Sequence, residues 1–137
     1  MKQVSYELFK SASIDTILDS IDKELQLRNE SPIWKLKVIP FSRAILSVLV
    51  PLRDAGELFN PEGKSVQELT PELFFSWSDF VSLKMFYFKM KDSNLDVSVL
   101  GEYLASCNVN LDDEYLDFPI ATYNLHQGVS NVIKSLL

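Results

Sequence analysis

The chain has 137 residues, of which 47% are hydrophobic and 23% charged, a composition that predicts one compact domain over residues 1–137 and excludes wholesale disorder. Its net charge is −6, and the excess of acid lies in the second half, where residues 69–137 contain nine Asp or Glu against four Lys or Arg. No Lys or Arg occurs between Asp92 and Ile133, so this stretch is predicted to bind neither nucleic acid nor an anionic membrane, both of which require cations against phosphate.

The amino terminus shows neither the apolar core of a secretory signal nor the Arg-rich character of a transit peptide. No apolar run is long enough for a membrane span. The single cysteine, Cys107, excludes an intrachain disulfide and is interpreted as a small buried hydrophobic residue. We therefore expect a cytoplasmic protein.

Helical spacing of apolar residues predicts a first long helix over residues 14–25, with Ser13 as its N-cap and an additional turn from Tyr6. The helix is expected to end before Pro32, because the residue preceding a proline is displaced from the helical region.

Residues 33–39 alternate apolar and polar side chains, which indicates a short strand or an extended crossing, closed by Pro40. A helical face follows from Phe41 to Leu52. Pro51 lies within it, so a kink or an early stop is expected there.

The segment Asn60–Gly63 predicts a turn. Thr70 and Pro71 then form the strongest helix start in the chain, with Thr as N-cap and Pro in the first turn. The residues from Pro71 to about Lys91 are apolar on most sides, which predicts the central and most buried helix. The aromatic content of residues 83–90 leaves a strand as the alternative there.

Two further helical faces lie over residues 99–107 and 125–136. For residues 115–121 the sequence does not distinguish a strand from a loop. The predicted fold is mainly α, with about five helices around a central aromatic-rich helix. One or two short strands are compatible with the same pattern. An α+β fold is the alternative.

Residues 92–133, called here the acidic stretch, carry seven carboxylates. The densest part, residues 112–117, lacks the glycine and the ligand register of a calcium loop, so no metal site is predicted. One interpretation is a solvated loop or helix start; the other is a partner-binding surface in which Tyr115 and Phe118 are aromatic anchors. The candidate partner-binding residues are Asp96, Glu102, Asp112, Asp113, Glu114, Tyr115 and Asp117.

No catalytic motif is found. His126 is the only histidine and has no nucleophile motif near it, and the acidic surroundings of Cys107 disfavour its thiolate. No glycine-rich phosphate loop occurs, so no cofactor is predicted. The aromatic run from Phe74 to Phe88 is interpreted as core, and Lys84, Lys89 and Lys91 are expected to solvate its exposed side. The chain is therefore not expected to be an enzyme.

In composition alone the chain is similar to small acidic bacterial binding proteins. The favoured hypothesis is an immunity or antitoxin-type inhibitor that blocks the active site of a basic, nuclease-like toxin. The alternative is a secretion chaperone or adaptor, which would present an apolar groove instead of a charged face. Either function implies a protein partner; for the inhibitor that partner is basic.

Overall fold

The structure is a computed structural model that describes residues 6–28, 32–93, 95–107, 109, 111–112 and 120–136. Seven helices lie within these residues, and their only β pairing is an isolated bridge between Phe59 and Ser65. This confirms the prediction of a mainly α fold. The helices are α1 (Tyr6–Ser11), α2 (Ile14–Leu27), α3 (Pro32–Ala55), α4 (Pro71–Ser76), α5 (Phe80–Met90), α6 (Ser98–Ser106) and α7 (Ile120–Leu136).

The central helix is α3, and not the aromatic-rich segment from residue 71 to 91. It packs against α2, α4, α6 and α7. Ile45, Leu46, Val48 and Leu49 are each fully buried, although consecutive residues point to different sides of a helix. A helix that is buried over most of its circumference belongs at the centre of a helical protein, because most of its sides have a neighbour to pack against.

Pro40 and Pro51 both lie inside α3, so the short strand or extended crossing expected over residues 33–39 and the early stop expected at Pro51 are wrong. A proline costs a helix interior about 3 kcal/mol, because it lacks the N–H donor and crowds the preceding turn. Burying one large apolar side chain stabilises the folded state by about 1.5–3 kcal/mol. Since Phe41 and Leu49 are both fully buried, the packing of this segment outweighs its local propensity.

The segment predicted as one helix from Pro71 to Lys91 is two helices, α4 and α5, separated at residues 77–79. The Asp79 carboxylate accepts a hydrogen bond from the backbone N–H of Ser82 at 3.4 Å and so caps α5. Asp favours an N-cap over a helix interior, which explains the break. Residues 83–90 lie within α5, so the strand alternative is wrong.

Several local predictions are confirmed. Ser13 accepts a hydrogen bond from the N–H of Thr16 as the N-cap of α2, and Thr70 accepts one from Leu73 as the N-cap of α4. The turn at Asn60–Gly63 is closed by a 2.9 Å hydrogen bond from the Gly63 N–H to the Asn60 carbonyl. Gly63 adopts φ 84°, a conformation that residues with a side chain rarely take.

Within the described part of the chain, we find no helix with the length and apolarity needed to cross a membrane.

Candidate functional site

The acidic stretch is only partly described. Asp92, Asp96, Glu102 and Asp112 are described, and all four are exposed. The predicted partner-binding residues Asp113, Glu114, Tyr115 and Asp117 lie outside the described residues. Among the candidates, the structure therefore gives positions for Asp96, Glu102 and Asp112.

Helix α6 turns Glu102 outward by burying two of its other residues. Leu100 and Leu104 are fully buried, and the Tyr103 ring packs on Phe41 with centroids 5.4 Å apart. Glu102 lies between these positions and is exposed. Its carboxylate is therefore placed in solvent by the packing of its neighbours, and no hydrogen bond or ion pair of its side chain is found among the described residues.

Asp96 has a structural role beside any role in binding. Its Oδ1 accepts a 2.9 Å hydrogen bond from the backbone N–H of Ser98, the first residue of α6. This bond, and a second from the Ser98 hydroxyl, lower the pKa of Asp96 below its ordinary value. A change at Asp96 would therefore disturb the start of α6 as well as the surface charge.

We expect the Asp96 carboxyl to titrate at lower pH in the folded protein than in the unfolded chain. Because the folded-state pKa is depressed, its contribution to stability is present above the unfolded pKa of about 3.9 and is lost as the pH falls through the folded value. NMR titration of the Asp96 carboxyl, folded and in urea, measures both values. Ser98→Ala should raise the folded pKa partway, and a folded pKa at or above the unfolded one would contradict the assignment.

The Tyr103 phenol lies beside Cys107. Burial, and secondarily the neighbouring Cys107, raise the pKa of the Tyr103 phenol well above its ordinary value. The phenol therefore stays protonated at physiological pH and cannot act as a general base there. Cys107 was predicted to be buried, but it is only half-buried.

The structure assigns no catalytic or metal-ligating arrangement to the described residues. The backbone of residue 126 lies in α7, while the His126 side chain is outside what is described. No group of three or more His, Cys, Asp or Glu side chains suited to a metal ion occurs in the described portion. The expectation that the chain is not an enzyme and binds no metal or cofactor stays a prediction.

The aromatic run is mainly core, as predicted. Phe74, Trp77 and Phe86 are buried, and the Trp77 and Phe86 rings stack at 4.1 Å between centroids. Phe59 meets both of these rings edge-on. The buried indole nitrogen of Trp77 has no hydrogen-bond partner in the described structure.

The expectation that Lys84 solvates the exposed side of this run is wrong. Lys84 is fully buried, with its ammonium 5.9 Å from the centre of the Phe88 ring. Lys89 and Lys91 are exposed. Their ammonium groups lie 4.3 Å and 4.5 Å from the ring centres of Phe59 and Phe88, so both cover aromatic faces.

A cavity of about 510 Å³ lies where α3 and α5 end, and sequence reasoning missed it. It is lined by Asp92 from the acidic stretch and by Glu57, which follows α3. Glu57 lies in the half of the chain whose charges nearly balance, so no sequence signal marked it as a partner of Asp92. Only the fold brings the two carboxylates to one cavity.

A second cavity, of about 330 Å³, separates the turn at residues 59–63 from α5. Trp77 and Phe86 line it, together with Met85, which is 51% exposed. Its lining is more apolar than polar.

Comparison of the chain with protein families, with characterised proteins and with solved structures gives no match.

Proposed function

We propose that this chain is a non-catalytic binding protein that inhibits a basic, nuclease-like toxin by occupying its active site. The observation that carries the proposal is the acidic stretch, 42 residues with seven carboxylates and no Lys or Arg. Its described carboxylates, Asp92, Asp96, Glu102 and Asp112, are all exposed. An ordinary solvated helix surface intersperses both signs of charge, because neighbouring opposite charges stabilise a helix.

The inhibition follows from charge complementarity. An enzyme that cleaves RNA or DNA presents cationic groups to the phosphates of its substrate. An acidic protein surface is attracted to the same groups, which speeds encounter and competes with the nucleic acid. Tyr115, which lies outside the described residues, is proposed as an aromatic anchor within this surface.

The same charges argue against nucleic acid as the ligand of this chain. Seven carboxylates without a compensating cation repel a phosphate backbone.

The secretion-chaperone alternative needs an apolar groove that holds a peptide segment. The apolar cleft beside Met85 has a volume of about 330 Å³, which is the lower end of the range for small-molecule pockets. The acidic surface therefore favours the inhibitor.

Affinity capture from the native host followed by an inhibition assay tests the proposal. The expected captured protein is basic and cleaves a labelled RNA or DNA, and equimolar addition of this chain abolishes the cleavage. The Asp19→Lys variant, which changes an exposed carboxylate of α2, should inhibit equally well. A captured partner without net positive charge, or cleavage that persists at large molar excess of the chain, would contradict the proposal.

A further inference from the structure

The cavity at the ends of α3 and α5 combines apolar walls with two exposed carboxylates. Pro51, Leu52, Met90 and Leu95 supply apolar lining, while Glu57 and Asp92 supply negative charge. Leu52 is buried and the other three apolar residues are half-buried. Such walls suit the hydrocarbon stem of a long cationic side chain, which packs on apolar surface while its charged end stays near water.

The negative charges of this cavity are not neutralised from within the described chain. No Lys or Arg lines the cavity, and none of the described ion pairs involves Glu57 or Asp92. The cations nearest in sequence are engaged elsewhere. Arg53 bonds the Phe9 carbonyl and Asp54, and the Lys91 ammonium lies over the Phe88 ring.

Two helix C-termini add to the negative potential of the cavity, which favours a cationic ligand. Helix α3 ends at Ala55 and α5 ends at Met90, and both residues line the cavity. The carbonyl groups of a helix C-terminus carry partial negative charge, which adds to the field of the two carboxylates. The Ser93 hydroxyl, also in the lining, bonds the Met90 carbonyl and accepts from the Leu95 N–H, so it holds this turn in shape.

We infer that this cavity is a binding site for an arginine side chain of the basic protein partner. The guanidinium group has five donors in a planar arrangement, so one group can meet carboxylates from two directions. It is also less strongly hydrated than an ammonium, which favours its entry among apolar side chains. The inference rests on the proposed function for the origin of the arginine, and it adds Glu57 and Asp92 to the residues proposed to contact the partner.

Titration with a small arginine derivative tests the site without the partner. The probes are Nα-acetyl-arginine methylamide and, as an uncharged analogue with an apolar stem, Nα-acetyl-norleucine methylamide. Backbone amide shifts of the full-length protein are followed by NMR at fixed salt. We expect saturable shifts at Glu57, Met90 and Leu95 with the arginine probe, on the order of millimolar affinity, and no saturable shifts there with the norleucine probe.

The double variant Glu57→Gln, Asp92→Asn should weaken the arginine probe about fivefold, the effect of losing two exposed ion pairs. Asp19→Asn removes one exposed carboxylate of α2 outside the cavity and should leave the affinity unchanged. Equal binding of both probes, shifts confined to other residues, or undiminished affinity in the double variant would overturn the inference. None of these outcomes bears on the proposed inhibition, which is measured with the captured partner.

Discussion

Leu49→Ala is expected to lower the free energy of unfolding by about 2–5 kcal/mol. Leu49 is fully buried in α3, the helix around which the others pack, and truncation to Ala removes apolar contacts and leaves a void. Urea denaturation of the purified protein measures the change. A cost of this size would support the burial of Leu49 in the core.

Leu36→Ala is the matched control, because it makes the same chemical change in the same helix. Leu36 is 72% exposed, so we expect a change within about 0.5 kcal/mol. Equal effects of the two substitutions would contradict the placement of α3, since an exposed and a buried leucine cannot contribute alike to burial.

Trp77→Ala is expected to cost about 3–5 kcal/mol. Trp77 is only 3% exposed and stacks on Phe86, with Phe59 edge-on to both rings. Its truncation therefore removes the middle of an aromatic cluster that joins α4, α5 and the turn segment. Thermal or urea unfolding measures the loss, and near wild-type stability would mean that this cluster does not belong to the core.

The Trp77→Phe variant distinguishes the contribution of the ring contacts to stability from that of the indole nitrogen. The smaller ring keeps an aromatic face toward Phe86 and removes a buried N–H that has no partner in the described structure. Since the lost volume and the removed desolvation cost oppose each other, we expect a loss within about 1.5 kcal/mol. A loss as large as that of Trp77→Ala would show that the indole itself is required.

Local signals in the sequence were sufficient for the helix starts. Ser13 and Thr70 cap helices because a short side-chain oxygen can accept from a backbone N–H of the first turn, and that chemistry depends on neighbouring residues alone. The turn at Asn60–Gly63 was predictable for the same reason. These features need no knowledge of the rest of the fold.

The centre of the fold could not be read in this way. The prolines of α3 and the alternation over residues 33–39 argue locally against a helix, and only burial against α2, α6 and α7 outweighs them. Asp79, by contrast, gave a local signal for the break between α4 and α5 that the apolar character of the whole segment obscured.

Part of the candidate site could likewise be predicted from local sequence, and part depends on tertiary packing. The acidic stretch is a property of the sequence, and the exposure of Glu102 follows from the helical spacing of Leu100 and Leu104. The cavity with Glu57 and Asp92 depends on where two helices end relative to each other. That relation is set by tertiary packing, so neither carboxylate could be assigned to it from the sequence.

The central claim is that the acidic stretch directs binding to a basic partner, and the association rate across a salt series tests it most directly. The captured partner is mixed with the double variant Glu102→Lys, Asp112→Lys and with the control Asp19→Lys, after urea denaturation has shown that both variants are folded. We expect the double variant to associate about tenfold more slowly at low salt and with a weaker salt dependence, because it reverses charges that steer the encounter. The control should associate like the unmodified protein. Association that is unchanged in the double variant, or slowed equally in the control, would contradict the claim.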